Sequence, residues 1–170
     1  TDEAHFTRTA IINFHNNHIW ADRNPHAIKP NRPQHQFSVN VWAGILADHL
    51  VVFVLPPSLN VMVYLNFLRD ELPNLLDDVP LHLRQNMWFM HDGAPEHYLA
   101  VHGYLNESFT NQWIGRGGPV SWPARSPDLN PLDFYFWGHL KTLVYSSPID
   151  TIEELRLNIS NGIETIKQTP

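Results

Sequence analysis

Three aspartates in this chain of 170 residues stand where an ordered carboxylate could do chemistry. Asp92 follows the apolar run "MWFM" and His91, and a Gly-Ala-Pro turn comes directly after it in "MWFMHDGAPEH". An aspartate commonly opens a turn by bonding its own backbone. A strand that ends on a carboxylate also suits a second purpose, because it holds a metal ligand at a rigid tip. Asp133 falls in the first turn of a helix that starts at Pro131, where unpaired N–H groups and the helix dipole favour the ionised form. Asp2 stands near the start, before "AHF". An ionised Asp is an oxygen ligand suited to Mg²⁺ or Mn²⁺. Two such ions about 3.5–4 Å apart serve phosphoryl transfer by activating the attacking oxygen and stabilising the leaving one. That chemistry requires carboxylates from different elements to converge. With 17 acidic residues in the chain, position alone does not single out these three.

The elements that would position them are legible in outline. "NHIWAD", "QFSVNVWAGIL" and "LVVFVLP" are β-branched and aromatic runs bounded by turn residues, and read as strands. Leu65, Leu68, Leu72, Leu75 and Leu76 recur at helical spacing, and Pro73 inside that pattern predicts a kink or a split. "MWFM" is apolar on both faces, as a central strand requires. Val101, Leu105 and Phe109 predict a helix after Asp92, and "PVSW" a further strand. Asn130 as N-cap and Pro131 as first helical residue open a helix with Leu132, Phe136, Leu140 and Leu143 inward. A last helix begins at a capping box of Thr151 and Glu154, with Ile152, Leu155, Ile159, Ile163 and Ile166 inward. Strands first, then helix and strand alternating, then helices, predict one mixed α/β domain with helices on a central sheet.

Composition narrows the classes. Hydrophobic residues make up 43%, which is globular rather than disordered. The absence of Cys removes disulfides and thiolate metal sites, and fits an intracellular protein. There is no apolar run of about 18 residues, so no membrane span is expected, and the first residues do not read as a secretory signal. A net charge of −6 is unfavourable for non-specific nucleic-acid binding. The charges are uneven, however. Four cations and one acid lie between Thr7 and Arg32, while acids gather at Asp70, Glu71, Asp77 and Asp78 and again at Asp150, Glu153, Glu154 and Glu164. This is either a solvated surface or a basic side opposed to an acidic back.

"TDEAHFTR", "HDGAPEH" and "SPDLNPLDFYFWGHLK" resemble the three acidic motifs of mariner-like transposases, in the insect-rich branch of that superfamily. "HIWAD", "FSVNVWAGI", "YLNFL" and "WIGRGGPVSWPARSPDLNPLDF" resemble that branch too, in the expected order along essentially the whole chain. The resemblance implies a ribonuclease H-like fold, a central mixed β-sheet flanked by helices, spanning 1–170 as a single catalytic domain. It implies a catalytic triad of Asp2, Asp92 and Asp133 binding two Mg²⁺ or Mn²⁺ ions, with Asp128 a loop residue rather than a ligand. The implied reaction is DNA strand cleavage at transposon ends and transfer to target DNA, in the nucleus, by a homodimer. His97, Arg116, Arg125 and Lys141 are the expected nucleic-acid contacts. The chain begins at the first acidic motif, so the family's N-terminal helix-turn-helix region and part of the first strand are expected to be missing, which leaves Asp2 near a frayed end. "TNQWIGRGGP" widens the interval between Asp92 and Asp133 and is expected as a surface insertion, and Glu96 adds negative charge beside the presumed site. Two other classes stay open: a domesticated, catalytically inactive DNA- or protein-binding module, and a related metal-dependent nuclease that cuts without joining.

The remaining chemistry is weaker. His15 and His18 read as surface histidines in an Asn-rich turn. His97 and His102 are five apart and share no helical face, which disfavours a zinc site. "GRGG" lacks the Lys-Ser/Thr sequel of a phosphate loop and reads as a turn. Ser121 and Ser126 have no nucleophile elbow around them. Trp113, Trp122, Arg116 and Arg125 form either a stacking edge for nucleic acid or a mixture of core and surface. Trp20, Trp42, Trp88 and Trp137 read as core.

Overall fold

The computed structural model describes residues 1–8, 37–91, 98–123 and 126–168. Strand β1 (Asp2–Thr7) pairs antiparallel with β2 (Ser38–Leu46), and β2 pairs antiparallel with β3 (His49–Leu55). The strands read from "QFSVNVWAGIL" and "LVVFVLP" are therefore present. "NHIWAD", His15, His18 and Trp20 lie outside the described residues. Asp2 is not frayed: it opens a six-residue strand, its Cα opposite Ala43, and every residue of β1 has a partner on β2.

Period-2 alternation makes β2 a two-faced strand. Val39, Val41 and Ala43 face one core and Trp42 faces the other. The first core is closed by α5 (Trp137–Val144) and α6 (Ile152–Gln168), through Leu140, Val144, Leu155, Ile159 and Ile163. At α6 the helices approach so closely that a Cβ on Gly162 would stand 2.8 Å from Leu140 Cδ1. The expected capping box is formed in full: Glu154 N donates to Thr151 Oγ1 at 3.1 Å and Thr151 N to Glu154 Oε2 at 3.2 Å.

The second core lies under α1 (Val61–Asn66), a π turn at Phe67–Glu71, α2 (Leu72–Leu75) and α4 (Tyr98–Ser108). The leucine-rich helical run is continuous from Val61 to Leu75, with Pro73 in its last turn rather than splitting it. Just before Pro73 the ladder shifts register, Leu72 N donating to Phe67 O, and Asn74 Nδ2 takes the Asp70 carbonyl at 2.7 Å. The extra residue of the π turn accommodates a proline that has no N–H to give. Val101, Leu105 and Phe109 are buried here, as their spacing predicts.

Strand β4 (Phe89–Met90), whose Phe89 belongs to this second core, is preceded by α3 (Leu81–Asn86) and paired in parallel with β5 (Trp113–Ile114). Among the described residues the strands pair as an antiparallel three-stranded sheet and a parallel two-stranded one. Three sequence expectations need correction at this strand pair. "TNQWIGRGGP" is not a surface insertion, because Trp113 within it is fully buried and bonds Asn106 Oδ1 through Nε1 at 2.9 Å. Trp88 is 48% exposed rather than core. "PVSW" supplies one bridge, Val120 to Ile114, and no strand. "GRGG" is a turn, closed by Gly118 N donating to Gly115 O at 3.1 Å, with Gly117 at a left-handed φ of 79° that favours glycine. Among the described residues no helix is long and apolar enough to cross a membrane.

Candidate metal-binding site

Asp2, Ala4 and Phe6 alternate onto the face of β1 that α5 covers, with Ala4 and Phe6 packed into that core. A carboxylate at the end of this row must find a donor or carry a desolvation cost. Asp2, 8% exposed, accepts a 2.7 Å hydrogen bond from the indole Nε1 of Trp137. Trp137 is itself 5% exposed, its ring edge-on to Phe6 at 6.3 Å and tilted against Phe136 at 4.8 Å.

Asp133 precedes Trp137 by four residues on the same helical run, about one turn away. That run begins at Pro131 and passes through a π turn, Leu132–Phe136, before α5. Asn130 caps it as expected, with its Oδ1 accepting from Leu132 N at 3.2 Å. The same buried side chain does more than cap: its Nδ2 donates to Asp133 Oδ2 at 3.2 Å. Asp133 is exposed, as are Phe134 and Tyr135 beside it, Phe134 to 65%. Asp128 sits in a 3₁₀ turn, Pro127–Leu129, and is solvated, in keeping with a loop role.

The start of β1 also meets the end of β4. Thr1 Oγ1 donates to Met90 O at 2.5 Å, two residues before Asp92 in the chain. Asp92, His97 and Arg125 lie outside the described residues. Asp2 is thus tied to the helix that carries Asp133 and, through Thr1, to the strand that leads to Asp92. The two described cations expected to contact nucleic acid sit on different elements. Arg116 lies exposed in the Gly115–Gly118 turn. Lys141 is half-buried on α5 with Nζ 6.0 Å over the Phe6 ring, close to the layer that holds Asp2.

The donor set offered by Asp2 and Asp133 is oxygen only, which fits a hard divalent cation. Among the described residues no three His, Asp or Glu side chains are grouped so as to hold a metal. The histidines of this region have other occupations. His91 is buried and stacked on Tyr64 at 5.8 Å. His102 lies against Trp113 at 5.0 Å, and burial pushes its imidazole below the usual range. Trp113 is core, not a stacking edge.

Sequence reasoning overlooked two residues of the site. Trp137 reads as core, yet a buried tryptophan has an N–H to satisfy, and its place one turn after Asp133 was the available signal. Asn130 reads as a cap, and its side chain has a second donor to place.

Neither a protein-family model nor a curated protein sequence matches the chain. Among solved structures the chain is similar to Mos1 transposase, determined as a paired-end complex with left transposon end. The TM-score is 0.58 at 16% sequence identity, with 98% of this chain and 51% of that one covered. The chain spans about half the length of that transposase. Over nearly all of its length, this mixed α/β chain therefore has the fold of part of a mariner-family transposase.

Proposed function

We propose that this domain cuts and transfers DNA strands with a divalent metal, as the catalytic core of a mariner-like transposase. The observation that carries the proposal is the double tie on Asp2. Its carboxylate is buried and held by the helix bearing Asp133, while its neighbour Thr1 bonds the strand leading to Asp92. The reading requires Asp2, Asp92 and Asp133, from three elements, to meet at one place, which is what phosphoryl transfer needs. The same tie supports a ribonuclease H-like sheet of order β3-β2-β1-β4-β5, with β1 beside β4.

In this reading Asp2, Asp92 and Asp133 hold Mg²⁺ or Mn²⁺, two ions in all. The bound metal supplies activation of the attacking oxygen and stabilisation of the leaving one. The chain's own contribution is placement. Asp2 is fixed on a paired strand, and Asp133 is fixed on a capped turn by Asn130. Ligands on such elements are placed more closely than ligands on loops. His97, Arg116, Arg125 and Lys141 serve the DNA backbone, and the exposed rings of Phe134 and Tyr135 lie within reach of a strand bound at Asp133. DNA is the partner, transposon ends and target alike, the protein works as a homodimer, and the setting is the nucleus.

The test is nicking of supercoiled plasmid with Mn²⁺ or Mg²⁺, followed by joining of a pre-cut oligonucleotide end to plasmid. Metal-dependent nicking and joining, both lost in Asp133→Asn, are expected. Nicking without joining makes the domain a metal-dependent nuclease. DNA binding with no cutting in either metal makes it a binding module and contradicts the catalytic reading.

A further inference from the structure

We propose that Trp137 is a positioning residue for Asp2, its indole N–H setting the orientation in which the carboxylate meets a divalent cation. The inference rests on the metal-dependent reading above and names a residue outside the acidic triad. The bond joins groups 135 positions apart in the chain and measures 2.7 Å, at the short end for N–H···O and typical of an ionised acceptor.

Three features make it more than a satisfied core tryptophan. First, the donor is neutral. A lysine or arginine in that place would orient Asp2 but would also cancel the charge a cation needs; the indole orients without cancelling. Second, the donor is rigid. Phe6 and Phe136 both pack against the buried ring, so the N–H is placed before any ligand arrives. Third, Trp137 and Asp133 share one helical run, so this bond ties Asp2 to the run that bears a second carboxylate. Asn130 treats Asp133 alike, its neutral amide taking one carboxylate oxygen. Outer partners that orient metal ligands typically govern affinity by about 10-fold to 100-fold.

The test uses the whole chain and two readouts, neither of them activity. In the ¹⁵N-labelled chain, Mn²⁺ is titrated while the indole N–H resonances are followed. The Trp137 resonance is expected to broaden ahead of those of Trp42 and Trp113, whose rings pack in the other core. A tryptophan that only fills space far from a metal would not show this. In parallel, Mn²⁺ affinity is measured by calorimetry in Trp137→Phe, which keeps a ring against Phe6 and Phe136 and removes the donor. A loss of about 10-fold or more is expected. The broadening experiment needs no variant, so the proposal stays testable if Trp137→Phe folds poorly. Tight binding in a folded Trp137→Phe, or Trp137 broadening no earlier than Trp42, overturns the inference and leaves the metal reading intact. An unaltered chain with no saturable Mn²⁺ binding overturns both.

Discussion

The two sides of the three-stranded sheet hold the candidate site in different ways. On one side the run that passes through the π turn Leu132–Phe136 into α5, together with α6, lies over β1 and β2, and a capping box and an asparagine cap define where the helical runs begin. On the other side a helix interrupted by a π turn, the helix α4 and a pair of two-residue strands close the core around Trp42 and Trp113. The first side carries Asp2 and Asp133; the second carries the strand that runs toward Asp92. A metal site built across this divide depends on a firmly framed half and on a half held by little backbone pairing and much aromatic packing. In the proposed site, ligand placement and core packing are therefore one problem on the second side and nearly separable on the first.

The sharpest way to break the comparison is Trp113→Ala. Its ring is fully buried and its N–H is bonded, so removal should cost about 3–5 kcal/mol in urea unfolding and loosen β4 and β5 first. Hydrogen exchange at the Phe89 and His91 amides, which bond Gln112 O and Ile114 O, should then outpace exchange at Val41. Equal acceleration at all three would mean that the two sides do not differ.

Asn130→Ala probes the firmer side. It removes a buried cap and the amide on Asp133, and a loss of about 1–2 kcal/mol by denaturant titration is expected. Thr151→Ala should cost about 1 kcal/mol, because Glu154 N loses its acceptor. Combining it with Glu154→Ala should cost less than the sum of the two single losses, since the box acts as a unit. Strict additivity would mean that the reciprocal bonds are not coupled.

The smallest effect is a pH dependence on the aromatic side. Burial lowers the His102 imidazole, so the folded state favours the neutral ring. The stability this contributes is present above the unfolded value of about 6.5 and is lost as pH falls below it. The melting temperature should decline between pH 7.5 and 5, and His102→Gln should flatten part of that slope. An unchanged slope would remove His102 from the account.

What could be read from sequence follows the same divide. β2, β3, α4 and both helices of the firmer side follow from period and caps, because their side chains repeat over enough turns to leave a pattern. Trp113 was left open between core and stacking edge because only two residues of strand surround it, among glycines and polar residues that look like surface loop. Trp88 was misplaced because a run apolar on both faces does not say how far each face is covered. The three-strand and two-strand division depends on pairing between distant segments, for which a single sequence carries no periodic signal. Asp133 and its cap were legible as local chemistry. The bond from Trp137 to Asp2 was not, since it spans almost the whole described chain.

The most direct measurement is Mn²⁺ titration calorimetry on the unaltered chain, Asp92→Asn and Asp133→Asn. The account predicts saturable binding that each substitution abolishes or weakens by an order of magnitude, with unfolding otherwise little changed. Absent binding, or binding indifferent to both substitutions, would contradict a site assembled from Asp2, Asp92 and Asp133.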